Sequence, residues 1–167
     1  EVATPFDYND AGNIWKAVDE SQAFTDETFW GDDSWAPIDC NPEITHEGNK
    51  HTIVVPVETS AAEIWRAQWH LHTELSATAD DVVDFSVKIK TSVKLPGMIV
   101  KLTQDGNDDN YFFAVQEAIP AGDFVFKAEN KQLSGGLDAP KLKLTFGFGG
   151  APVDAVITIS EVTIIKK

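Results

Sequence analysis

The chain has 167 residues, 43% of them hydrophobic and 24% charged, which is enough for one packed core and unlike a disordered segment. Its 27 acidic and 13 basic residues give a net charge of −14. Such a surface repels phosphate backbones and anionic bilayers, which argues against nucleic acid and membrane as partners and favours a neutral glycan over an anionic one. No apolar run approaches the roughly 18 residues of a membrane span, and a lone Cys40 forms neither an internal disulfide nor a CxxC site.

The chain opens at Glu1 without an initiator Met or a signal-like stretch, so it reads as a processed or excised piece. Asn13 to Val18 reads as an apolar strand, with Trp15 in the core. Residues 20–46 then form a long segment rich in Asp, Thr, Pro and Trp. Segments of that length without regular structure are uncommon and often functional. Within it, Trp30 and Trp35 lie among Gly31, Asp32, Asp33 and Ser34. Tryptophan in so polar a loop needs something to cover. The C–H-rich face of a pyranose suits an indole face, and a plug over the core is the structural alternative. His51 to Pro56 reads as a further strand.

Ile64 to Leu75 alternates. Trp65, Ala67, Trp69, Leu71 and Thr73 make one side, and Arg66, Gln68, His70, His72 and Glu74 the other. The first set reads as core, with a role for Trp65 and Trp69 as stacking platforms the alternative. The second set could be a solvated face or a set of hydrogen-bonding partners for sugar hydroxyls, led by Arg66, Gln68 and His70. His70 and His72 could chelate a metal, but no third ligand stands out.

Five alternating segments fill the second half: Val82–Lys90, Met98–Gln104, Tyr111–Val115, Asp123–Lys127 and Lys141–Phe148, followed by Ala155–Ile165. Leu95-Pro96-Gly97 and Asp105 to Asn110 read as turns between them. Tyr111-Phe112-Phe113 alternates so that Phe112 opposes its neighbours; Tyr111, with its hydroxyl, is the ligand-side candidate, and a core position is the alternative. Short strands joined by turns, without a linker or repeat, predict one all-β domain over 1–167, an antiparallel β-sandwich.

Asp105-x-Asn107-x-Asp109 imitates the opening of an EF-hand loop but lacks its glycine and closing glutamate, so a polar hairpin tip is the better reading. No cofactor is indicated, although surplus carboxylates leave room for a structural Ca²⁺ elsewhere. No paired-carboxylate strand, Gly-x-Ser-x-Gly elbow, His-Glu-x-x-His or P-loop is present, which argues against an enzyme.

Residues 13–165 resemble the family 4 carbohydrate-binding modules, and the related family 22 group, of the kind attached to or inserted in gut bacterial xylanases and β-glucanases. The resemblance rests on Asn13-Ile14-Trp15-Lys16-Ala17, Trp35-Ala36-Pro37 with Asn41-Pro42-Glu43-Ile44, and Gly48 to Ile53. It continues through Trp65-Arg66-Ala67-Gln68, Val100 to Gln104 and Phe146 to Gly150. It implies a β-jelly roll with a concave, glycan-holding sheet, secreted, at the cell surface or periplasmic, tethering an attached glycoside hydrolase to xylan or a related β-linked glucan. Under it Trp30 and Trp35 match the loop aromatics and Gln68 the glutamine of the family's Trp-x-x-Gln strand. Trp69 departs from the family pattern, where a smaller residue is expected. The alternatives are a jelly-roll glycoside hydrolase or lyase, and a structural sandwich that packs on another module.

Overall fold

A computed structural model describes residues 3–21, 27–31, 43–56 and 63–167, with the backbone alone at 21, 27–31 and 43. The chain folds as two five-stranded antiparallel sheets. The strands are β1 Glu27–Gly31, β2 Glu43–Glu47, β3 Lys50–Val54, β4 Ala67–His72 and β5 Val83–Thr91. They continue with β6 Leu95–Gln104, β7 Asn107–Ile119, β8 Gly122–Lys131, β9 Leu142–Gly147 and β10 Val156–Lys166. The first sheet runs β1-β4-β9-β6-β7 and the second β2-β3-β10-β5-β8. The antiparallel β-sandwich predicted from alternation is therefore the fold.

Alternation builds the core because every second residue of a strand faces the opposite sheet. Trp69, Leu71, Leu102, Leu144 and Phe146 of the first sheet meet Ile53, Phe85, Ile89, Ile157 and Ile159 of the second, all buried. Phe85 and Phe113 meet across the layers with ring centroids 4.6 Å apart and planes tilted by 50°. Trp69 is wholly buried, as the alternation implies. Its ring lies 5.8 Å from Phe146 in its own sheet and 5.7 Å from His51 in the other.

A polar knot closes one end of this core. The buried Asp19 carboxylate accepts from the Tyr8 hydroxyl at 2.7 Å and from Trp15 Nε1 at 3.2 Å. His51 Nε2 lies 3.6 Å from the same carboxylate. Burial, and then the hydrogen bond to Asp19 and its charge, push the Tyr8 hydroxyl pKa well above its ordinary value, so the proton stays on Tyr8.

Several expectations need correction. Trp15 is buried as expected, but the segment around it is a short helix, α1 Lys16–Ser21, rather than a strand. The segment 20–46 contains β1 and most of β2. Leu95 to Gly97 belongs to β6, and the following turn is confined to Asp105 and Gly106. Phe112 and Phe113 are both buried, because a register irregularity between Leu102 and Thr103 breaks the alternation of β7. Trp65 is not core: it lies in a 3₁₀ turn, Ile64–Arg66, and is 41% exposed. Among the described residues no helix is long and apolar enough to cross a membrane.

The Trp69 packing generates a measurable expectation. Trp69→Ala leaves a large void between the sheets and should lower unfolding free energy by about 3–5 kcal/mol in denaturant titration. A loss below about 1 kcal/mol would place the indole outside the core.

Candidate functional site

The outward side of the first sheet is ordered by cross-strand register. Trp30, Gln68, Gly147, Ile99 and Gln116 form one row across the five strands. Thr28, His70, Thr145, Lys101 and Ala114 form the next. His72, Lys143, Thr103 and Tyr111 form a third. The sheet thus brings the sequence candidates Trp30, Gln68, His70 and Tyr111 to neighbouring register positions. Trp30 is placed by its backbone, opposite Gln68. Trp35 and Cys40 lie outside the described residues.

Arg66 is not part of these rows. It belongs to the 3₁₀ turn that precedes β4, so strand alternation does not carry its side chain onto the face of Gln68 and His70. The alternation in the sequence runs two residues past the true start of the strand. What ends the strand is tertiary: Gly149 comes so close to the turn that a Cβ there would run into the Glu63 carbonyl oxygen. Its amide donates to the Ile64 carbonyl at 3.2 Å, pinning the turn beside the end of β9.

Gln68 is the hinge of the polar face. It is nearly buried; its Nε2 donates to the Trp65 carbonyl at 2.9 Å, and its Oε1 meets His70 Nε2 at 2.8 Å. Its side chain thereby ties the backbone of the Trp65 turn to an imidazole of the strand. His72 Nδ1 lies 2.8 Å from Asp105 Oδ2, and the rings of His70 and His72 meet edge to face at 6.1 Å.

Charged groups that the motif reading passed over complete the face. Lys143 Nζ donates to Asp108 Oδ1 at 3.1 Å, and Lys101 Nζ lies 3.9 Å from the other oxygen. Lys101 and Lys143 sit at polar phases of ordinary alternating strands, so only the register reveals that they flank Thr103 and Thr145. Those two threonine hydroxyls are wholly buried and, among the described residues, have no hydrogen-bond partner.

The electrostatics fix the protonation of the cluster. Burial, and then the Lys143 charge, lower the His70 pKa to about 4, so its imidazole is neutral at pH 7. Burial works against the Asp108 charge, but the hydrogen bond and charge of Lys143, followed by Lys101, hold its pKa below the usual carboxylate range. Among the described residues, no group of three or more His, Cys, Asp and Glu side chains is arranged to hold a metal ion.

The His70 shift has a definite sign. Between pH 4 and 6.5 the unfolded chain binds a proton that folded His70 refuses, so this group's contribution to stability is full above 6.5 and falls as the pH drops toward 4. NMR titration should place its midpoint near 4, and Lys143→Ala should raise that midpoint by removing a neighbouring positive charge. An ordinary midpoint near 6.5 in the parent protein would contradict the burial of this ring.

No family model matches the chain, and no curated protein matches it by sequence. Solved structures do match. A CBM4 structure aligns with TM-score 0.63 at 15% identity, covering 84% of this chain and 86% of that one. The N-terminal cellulose-binding domain of Cellulomonas fimi β-1,4-glucanase C aligns with TM-score 0.59 at 13% identity over 84% of this chain and 88% of its own. The apo structure of BiXyn10A CBM1 gives 0.53 at 12% identity, covering 86% and 94%. At these identities the likeness establishes the shared β-sandwich fold.

Proposed function

We propose that this chain is a non-catalytic carbohydrate-binding module that holds a neutral β-linked plant polysaccharide, foremost xylan, along the polar face of the first sheet. The observation that carries the reading is that face itself. Hydrogen-bonding groups from adjacent strands lie in register, and the turn that leads into β4 carries the exposed Trp65. The structures it resembles, one described as a CBM4 and another as a cellulose-binding domain, have the same architecture.

In this reading Trp65 stacks on a sugar ring, and Trp30 and Trp35 add aromatic surface from β1 and the segment after it. His70, neutral and bonded to Gln68, and the Tyr111 hydroxyl pair with sugar hydroxyls. Gln68 orients its neighbours as well as binding. Arg66 takes part only from the turn beside Trp65. The ammonium groups of Lys101 and Lys143 donate further hydrogen bonds, while Asp108 balances their charge.

Chemistry at this face is disfavoured by the same geometry. Glycoside hydrolysis needs one carboxyl group that stays protonated. Asp108 is held ionised, and Asp105 is engaged with His72. The module serves to tether, outside the cell, an attached glycoside hydrolase to its substrate. A β-glucan is the second reading, favoured by the printed name of the Cellulomonas fimi domain as cellulose-binding and as part of a β-1,4-glucanase.

Affinity electrophoresis against xylan, mixed-linkage β-glucan and hydroxyethylcellulose tests both. The parent should be retarded by xylan most, and Trp65→Ala and Gln68→Ala should each weaken binding roughly ten-fold, the equivalent of about 1.4 kcal/mol. Retardation by none of the three polymers, or release of reducing sugar from them, would overturn the proposal.

A further inference from the structure

The outward side of the second sheet carries a different feature. A groove of about 340 Å³ opens there between β3, β10, β5 and β8. The register sets Lys50, Ser160 and Lys88 in one row, and Thr158 and Lys90 in the next, opposite Asp123. Val125, paired with Lys88, lies nearly buried along its wall.

Three lysines gathered in one groove are unexpected on a chain of net charge −14. Like charges side by side are destabilising, and carboxylates do stand opposite two of these lysines in register, Glu47 for Lys50 and Asp123 for Lys90. Neither Lys50 nor Lys90 forms an ion pair or a side-chain hydrogen bond among the described residues. Protection of sheet edges, the usual reason for strand lysines, does not apply. The edges of this sheet are β2 and β8, whereas the lysines come from β3 and β5.

Lys88 is held in place. An irregularity in β10 between Ser160 and Thr163 puts Glu161 in the left-handed region at φ 51°, where its carboxylate lies 2.7 Å from Lys88 Nζ. A non-glycine residue at such a φ is costly and concentrates at functional positions. The other end of the same face is covered by the chain itself. There the Phe6 amide donates to Ser86 Oγ at 2.9 Å, and Lys127 stands over the Phe6 ring at 4.3 Å. Among the described residues, the chain thus closes one end of this face and leaves the lysine end open.

We infer that this groove is a second saccharide site, on the sheet opposite the proposed polysaccharide face, and that it takes a sugar bearing a carboxylate, a uronic acid. Lys50 and Lys90 hold the carboxylate from either side of β10. The Thr158 and Ser160 hydroxyls between them, with Asp123, pair with the ring hydroxyls, and Val125 offers a small apolar contact. Asp123 and the overall charge reject a dense polyanion, so the fitting ligand is an isolated acidic unit, free or as a side group on a neutral chain. The site does not depend on the first sheet binding glycan.

NMR titration of the intact protein with free glucuronate, a glucuronate-bearing xylo-oligosaccharide, glucose and inorganic phosphate tests this. Free glucuronate should shift the amides of Lys88, Lys90, Thr158 and Ser160 and leave those of Gln68 and His70 in place. Stronger shifts with the oligosaccharide would identify the side group as the source. The Lys50→Ala/Lys90→Ala variant, altered only at exposed positions, should keep the parent's Tm and weaken glucuronate roughly ten-fold or more, while Gln68→Ala should not. Equal responses to glucose or to phosphate, or no shift in these strands, would overturn the inference.

Discussion

Trp69 is the contact on which the polar face of the first sheet depends. Its indole is locked between Phe146 beside it and His51 across the core, so β4 can occupy its sheet in only one phase. A slip of one residue would exchange the two sides of the strand. It would bring Gln68, His70 and His72 into the core and expel two of its largest side chains. The apolar half of the strand therefore fixes the direction of the polar half. An indole where the resembled family suggests a smaller residue makes that constraint stronger.

Once the phase is set, the polar face is held largely by itself. Gln68 spends both ends of its amide on Trp65 and His70, His72 leans on Asp105, and Asp108 joins lysines from two strands. A solvated face would leave long side chains independent and mobile. Here the side chains are cross-linked and the imidazole of His70 is kept neutral, which suits recognition of uncharged hydroxyls. The opposite sheet differs: there Lys88 is paired with Glu161, while Lys50 and Lys90 close no ion pair among the described residues.

Much of this was legible in the sequence, and the failures have physical causes. The strands of the second half announced themselves because a half-buried strand imposes period-2 patterning, and β5, β9 and β10 fall within about a residue of where alternation puts them. α1 was misread because six residues are too few to display a helical period. β1 has five residues and gains its place from pairing with β4, a contact that no local pattern carries. Trp65 and Arg66 were drawn into the strand by a chance extension of the alternation. The approach of Gly149, some eighty residues later in the chain, decides otherwise. Lys101 and Lys143, like Lys50 and Lys90, come from separate strands that each look ordinary; only register brings them together. Trp30 entered the same row by that route, through its backbone partner Gln68.

The middle strand of the first sheet gives this arrangement a thermodynamic consequence. β9 is flanked by β4 and β6 and is buried along its whole length, on the polar side as well as the core side. Its amides belong among the slowest in the molecule to exchange hydrogen with solvent, because only large-scale opening would expose them. The floor beneath His70, Lys101 and Lys143 is therefore the stiffest part of the sheet. On the proposed reading, a glycan settling there would meet a surface already ordered, the conformational entropy that a softer surface would surrender on binding having been lost in folding.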